Sequence, residues 1–479
     1  MRSLHKIFPK GKESKVAMLG VLLVSLVVFA LISWVNHRLF RTYCLDLGYY
    51  SQCLWDYAHG RMNQSMIIET YPKPCLASHF DLYLLLFSPL VFIFGTYTLL
   101  IVQIAFILIG IYGMYKLLCE YTDNQWIPVF AALSYSFFFG VIHAMAFDYH
   151  SDVLIAAALP WFFYFIKRKR YWLGGISLLF ILIGKENAGL LMIFVSIGLM
   201  WDARKDKKEL LVLLCYLFVS VLYTYIVIMK VMPNLDSQSG NSVYGGVIRY
   251  TDWGYSVWEI LRNVLTHPWL AIKAMFNHPN KVEFFICLLL SGALVAIGKP
   301  NYLFMMIPLI AQKMLTFDES LWGISNQYNV IFAPLVIAAS YMAVSKFSKT
   351  CAATVLSFMM LLMVLGTSFY TMQDPKTWIR RENVAFYDKS HYIQPLFSVT
   401  EAKKMMELIP EDASVCASSC FCPHLCFRDT IYIFPHDQMF ETEFVLVTQE
   451  FPSQDLSVFR EGYDTVTAAH NLTLLRKRR

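Results

Sequence analysis

Residues 16–35 read VAMLGVLLVSLVVFALISWV, and residues 43–55 read YCLDLGYYSQCLW. The first run carries no charge over about 20 residues, the length at which a helix crosses a hydrocarbon layer. The second sets one carboxylate, Asp46, among tyrosines and an amide, Gln52, in the loop that follows. Arg2, Lys6, Lys10, Lys12 and Lys15 precede the first run. Positive flanks stay in the cytoplasm, so the N-terminus reads as cytoplasmic and Asp46 as external. No small-residue cleavage site follows the run, so it reads as a retained first helix. If the chain is an enzyme, Asp46 is the first candidate for its chemistry.

Working outward, apolar runs recur from residue 16 to residue 372 in a chain that is 57% hydrophobic and only 15% charged. Soluble domains carry about a quarter charged residues. A formal charge of +6 does not point to nucleic acid, because the basic residues sit mostly in short turns between apolar runs. There they report orientation. The reading is an all-α polytopic membrane protein of about eleven transmembrane helices in residues 1–372, with a small external α/β domain in 373–479.

One short run decides the topology. Asp81–Phe94 spans about 14 residues, too few to cross a core of about 30 Å, so it reads as a juxtamembrane helix within an external loop, 36–96. If it does not cross, Lys167-Arg168-Lys169-Arg170 and the group Arg204, Lys205, Lys207 and Lys208 both fall in the cytoplasm. If it did cross, both would face outward, against the positive-inside rule. The expected spans are then Val16–Val35, Tyr97–Leu118, Trp126–Phe147, Val153–Ile166, Tyr171–Gly184, Ala188–Trp201, Leu210–Met232, Val282–Ile297, Tyr302–Leu315, Gln327–Val344 and Cys351–Met372. Residues 233–280 form a second long external loop. The implied location is the cell (inner) membrane, with the tail outside.

This topology gathers the polar groups of the membrane zone on one side. Asp46, Gln52, His79 and Asp81 come from the first loop, and Asp148, His150 and Asp152 from the FDYHSD turn. Lys185, Glu186 and Asn187 form a turn between two short spans, and so sit in a wet recess below the surface. Ionisable groups at that depth are candidates for function. Arg249, Arg262, Lys313, Asp318, Glu319 and Gln327 arrive from later external turns. Each has a plainer reading: Asp46 a solvated loop residue, FDYHSD a helix cap, His79 a donor to a carbonyl, Lys185–Glu186 a mutually satisfied pair. The convergence of separate loops favours a site. Its candidate catalytic residues are Asp46, Asp148 and His150. Candidate substrate-binding residues are Gln52, His79, Lys185, Glu186, Asn187, Arg249 and Gln327. Asp46, Asp148 and His150 can also be drawn together around a divalent cation, but a metal is not favoured and the cofactor stays open.

In the tail, Thr400–Leu408 reads as a helix and Ala413–Ala417, Ile431–Phe434 and Phe444–Thr448 as strands. Val466–Arg476, around His470-Asn471, reads as a hairpin. The cluster CASSCFCPHLC, residues 416–426, matches no zinc spacing. The first loop holds three cysteines, Cys44, Cys53 and Cys75, so at most one bridge closes within it.

The stretches DLGYYSQCLW (46–55), SHFDLYLLLFSPL (78–90), AFDYHSDVL (146–154), GKEN (184–187) and NQYNVIFAPL (326–335) resemble a family of bacterial multi-pass proteins in the GT-C superfamily of membrane glycosyltransferases. That resemblance implies an inward N-terminus, Asp46 as the acid after the first span, and transfer of a sugar from a polyprenyl-phosphate carrier to an external envelope acceptor. The implied partners are membrane lipids and a lipid-linked sugar donor, with no nucleic acid; the oligomeric state is open. Asp46 would orient or deprotonate the acceptor, and a cation would meet the leaving lipid phosphate, with Lys185 first in line and Arg249 and Arg262 behind it. A carrier or flippase for an envelope intermediate is the alternative, but it needs midplane groups reached from both sides. A non-catalytic scaffold is the third, and would leave Asp46 dispensable.

Overall fold

The computed structural model describes residues 11–62, 65–69, 73–236, 245–347, 351–375, 379–449, 456–459 and 461–478. Arg2, Lys6 and Lys10 lie outside them. Seven helical runs in the described residues are long and apolar enough to cross a membrane: Lys12–Arg38, Tyr83–Cys119, Ile127–Ala146, Lys207–Leu235, Pro279–Ala296, Gln327–Ser345 and Cys351–Gln373. The expected count of eleven needs shorter apolar helices to cross as well, among them Ser151–Lys167, Tyr171–Leu182 and Ala188–Ala203.

Burial sorts these helices into layers. Phe332–Ser345 is buried at every position and forms the bundle's centre. Ser151–Lys167 is buried along most of its length and packs on Thr98–Cys119. Lys207–Ile226 buries only Leu213 and Ser220, leaving an apolar surface all round, as a lipid-facing helix does.

Several expected runs are broken, each for a visible reason. Asp81–Phe94 is not one helix but Tyr83–Phe87, a tighter turn at Ser88–Leu90, and Val91–Phe94. Pro89 lacks the N–H that a continuous helix needs. The run expected at Trp126–Phe147 is split into Ile127–Ser136 and Phe139–Ala146, and the freed Phe137 carbonyl accepts from the Ser368 hydroxyl. Tyr302–Leu315 is split into Pro300–Met305 and Ile307–Met314, with Pro308 at the restart.

The second half of the split helix sits hard against the turn Gln327–Asn329: a Cβ on Gly140 would collide with the Asn329 carbonyl. Gly140→Ala is expected to push that turn aside and cost about 1–3 kcal/mol. A melting temperature in detergent equal to that of the unsubstituted protein would refute it.

The tail folds as expected, with small boundary shifts. Its helix is Val399–Glu407 and its strands are β1 (Val415–Ala417), β2 (Ile431–Ile433), β3 (Phe444–Thr448), β4 (Tyr463–Ala469) and β5 (Leu472–Lys477). The sheet order is β2-β1-β3-β5-β4; β1 pairs parallel with β2 and β3, and β5 antiparallel with β3 and β4. His470 and Asn471 take φ of 41° and 66°, the left-handed pair that a two-residue hairpin requires. The tail is bolted to the end of the first helix. The Arg41 guanidinium donates to the carbonyls of Glu382, His391, Ser390 and Ile393 at 2.9, 2.8, 3.3 and 2.6 Å. Asn36 donates to Asn383 O at 2.8 Å.

At the opposite end of the bundle the two basic turns are neighbours. Lys169 pairs with Asp206 at 2.6 Å, and Arg168 with Glu120 at 3.4 Å.

Candidate functional site

Where the first helix ends, Phe40 takes a left-handed φ of 57° and the chain enters one wide turn, Cys44–Gly48, that runs straight into helix Tyr49–Ala58. A helix start leaves backbone N–H groups without intrahelical acceptors. Asp148 supplies one: its Oδ2 accepts from Tyr43 N at 2.9 Å and Leu47 N at 3.4 Å. Asp148 reaches them from a left-handed backbone, φ 49°, a conformation that aspartate tolerates better than most residues. Gln103 braces the Asp148–His150 segment from the neighbouring helix. Its Nε2 donates to Asp148 O and its Oε1 accepts from His150 N, both at 2.9 Å.

So held, the turn aims Asp46 at His150. Asp46 Oδ1 lies 4.0 Å from His150 Nε2, with the Asp46 side chain 24% exposed and that of His150 4%. The His150 ring stacks on Phe147 at 5.4 Å, and its Nε2 has no hydrogen-bond partner. Burial lifts the Asp46 carboxyl to about 6 even though the charges of His79 and Lys185 pull it down. Burial also holds the His150 imidazole well below its ordinary value, so the ring is neutral. The Asp148 carboxyl is raised by burial and by Asp46, against the two backbone donors. FDYHSD does lead into a helix, Ser151–Lys167, with His150 at the N-cap position making no side-chain capping bond.

A second wall comes from the GKEN turn. Leu82 N donates to Ile183 O at 2.9 Å and the Tyr83 hydroxyl to Phe180 O at 2.7 Å, pinning the juxtamembrane segment over this turn. Lys185 Nζ donates to Asp152 Oδ2 at 2.6 Å. Burial lowers the lysine, but Asp152 and Glu186 outweigh it and leave the ammonium above its usual range. Glu186 accepts from Phe80 N at 3.2 Å and lies 3.3 Å from His79 Nδ1. Burial opposes its charge, yet His79 and Lys185 bring its carboxyl down to about 2. Lys185 and Glu186 are therefore satisfied, but by Asp152 and His79 rather than by each other alone.

The remaining candidates divide. Gln327 is buried, and its Oε1 has no partner. Arg249 pairs loosely with Asp318 at 3.6 Å, its side chain 44% exposed. Gln52 turns away, accepting from Ser65 at 2.7 Å, and Asn187 donates to Gln312 at 2.8 Å. Lys313 donates to the carbonyls of Leu321 and Gly323, inside the fold. Asp148 is turned to backbone donors, so Asp46, Asp148 and His150 do not form a ligand set, and no three such side chains in the described residues are placed to hold a metal ion.

Sequence reading passed over Gln103, whose signal was an amide in the middle of an apolar run. It also passed over Tyr328, which sits beside Gln327 in the turn Gln327–Asn329. Asp81 accepts from Tyr83 N at 2.9 Å and the Tyr149 hydroxyl at 3.1 Å, and burial raises it to about 8. Tyr50 bridges the walls, 5.8 Å from the Tyr149 ring and 6.3 Å from His79.

The family described as "Predicted membrane protein (DUF2079)" matches residues 36–457, from just before the Asp46 turn to the last strands. The chain belongs to that family. No curated protein matches it in sequence. Among solved structures it is similar to ArnT from Cupriavidus metallidurans bound to undecaprenyl phosphate, at 11% identity over 96% of this chain and 97% of that one, with a TM-score of 0.50. It is also similar to the Archaeoglobus fulgidus oligosaccharyltransferase tethered with an acceptor peptide (12%, 96% and 74%, 0.44) and to the arabinofuranosyltransferase AftD from Mycobacteria (10%, 96% and 41%, 0.49). The likeness to ArnT shows that this DUF2079 chain has a GT-C-like fold.

Proposed function

We propose that this DUF2079 protein moves a sugar from a polyprenyl-phosphate carrier to a hydroxyl-bearing envelope acceptor, at the face that carries Asp46. The carrying observation is the gap between Asp46 Oδ1 and the unpartnered His150 Nε2, 4.0 Å wide. An acceptor hydroxyl entering beside that gap gives its proton to Asp46 as its oxygen bonds the anomeric carbon, and the bond from that carbon to the lipid phosphate breaks. His150, neutral, orients the oxygen. Asp148 and Gln103 are positioning residues for the turn. The undecaprenyl phosphate in the ArnT structure supports a donor of the same class.

Lys185 is locked onto Asp152, so Arg249 is the better partner for the leaving phosphate: it is half-exposed and only loosely paired. His79, Glu186 and Gln327 line the approach. Residues 1–372 are read as the membrane portion, crossing eleven times with the N-terminus cytoplasmic. The adjoining basic turns 167–170 and 204–208 are placed inside and Asp46 outside, in the inner membrane. Residues 373–479 are read as the external domain. No step in this reading calls for a metal.

The test is a strain lacking the protein. Its envelope glycans, compared by mass spectrometry with those of the parent, are expected to lose one sugar increment while the lipid-linked sugar accumulates. Unchanged glycans and an unchanged lipid pool would sink the transferase reading. Arg249→Ala is expected to raise KM for the lipid-linked donor about tenfold, the effect of losing one charged hydrogen bond. Kinetics on purified protein in lipid nanodiscs would show it, and an unchanged KM would move the phosphate elsewhere.

A further inference from the structure

The three cysteines of the first loop do not leave one over. Cys53 and Cys75 are both buried and lie within hydrogen-bond reach of each other. Cys44, the odd one, faces across the domain boundary to Cys422. Both of these are fully buried, and their thiols are also within hydrogen-bond reach. The backbones that carry them are fitted together at the same place. Cys44 N donates to Ser419 Oγ at 3.1 Å, and a Cβ on Gly48 would fall 3.3 Å from Cys422 Cβ. Cys422 Sγ also reaches the carbonyls of Ala417 and Ser418, at 3.5 and 3.8 Å.

We propose that Cys44 and Cys422 are joined by a disulfide that ties the Asp46 turn to the C-terminal domain. The proposal rests on the external placement of both segments, since disulfides persist in oxidising compartments. The oxidant is the disulfide of a thiol–disulfide exchange protein. One cysteine thiolate attacks a donor sulfur to give a mixed disulfide, and the donor's first thiolate leaves. The second cysteine then attacks the mixed disulfide, the Sγ–Sγ bond forms, and the donor's second thiol leaves. Two cysteine thiols are oxidised, and one donor disulfide is reduced to a dithiol.

Burial pushes the Cys422 thiol well above its ordinary range, and both sulfurs are shut away from an exchange partner in the folded protein, so the exchange belongs to folding, before the domains close. Once formed, the bond spans most of the chain and fixes the position of the turn two residues before Asp46.

The test uses the full-length protein from acid-quenched cells, alkylated with N-ethylmaleimide, digested without reductant and read by mass spectrometry. The expected product is a Cys44 peptide linked to a Cys422 peptide, two hydrogens lighter than the separate thiols and resolved by reduction. Reduction is expected to lower the melting temperature of the wild type in detergent more than that of Cys422→Ser. A parallel sample carries Lys404→Cys, at an exposed position of the tail, treated in intact cells with a membrane-impermeant maleimide. Labelled Lys404→Cys with alkylated Cys44 and Cys422 overturns the bridge alone. Unlabelled Lys404→Cys with both thiols alkylated overturns the placement of the domain, and the bridge with it.

Discussion

Asp46→Asn is expected to cut sugar transfer about 10²–10⁴-fold, the contribution of a positioned general base, while leaving the fold in place. The amide keeps the size of the carboxylate, and the backbone of the turn is held by Asp148, itself braced by Gln103, not by Asp46. A strain that carries only this variant is expected to show the glycans of the strain that lacks the protein, with normal amounts of the protein in its membranes. Parental glycans at parental rate would remove Asp46 from the mechanism. The pH dependence follows from the same residue. Burial lifts its carboxyl to about 6, and only the ionised form accepts a proton. The rate is therefore expected to fall as pH drops through about 6 and to level off above it. In Asp46→Asn the residual rate is expected to lose that inflection. An inflection that persists would belong to another group.

The way Asp46 is held explains what could and could not be read from the chain. Length and apolarity of residues 16–35 settled the first helix, because crossing a hydrocarbon layer leaves few alternatives to about 20 apolar residues. The hairpin at His470-Asn471 was legible because few residues accept φ above zero in succession. Broken helices were harder. Pro89 and Pro308 were visible, but a proline can bend a helix or stop it, and the break at Phe137 has no proline beside it; its carbonyl is taken up by the distant Ser368. The candidate site shows the same division. Counting spans and charges put Asp46, His79, His150, Lys185 and Glu186 on one face. It did not give their pairing, since Lys185 with Asp152 and Glu186 with His79 are contacts between residues far apart in the chain. Gln103 and Tyr328 went unseen for the same reason.

Asp148→Ala is the substitution that separates holding from reacting. Asp148 accepts two backbone N–H groups of the Asp46 turn in a buried place where water cannot take over. Removing it leaves those donors unsatisfied, at about 1–3 kcal/mol of stability, and lets the turn drift. A shift of about 1 Å in a reacting group is worth about 100-fold in rate, so kcat is expected to fall about that far with KM for the donor unchanged. Asp148→Asn keeps one acceptor oxygen on the same stem and is expected to recover most of that loss, because an amide oxygen can serve both N–H groups. Asp46→Asn has no such rescue. If Asp148→Asn proves as inactive as Asp148→Ala while melting like the unsubstituted protein, the carboxylate takes part in proton transfer itself, and the two acids work as a pair.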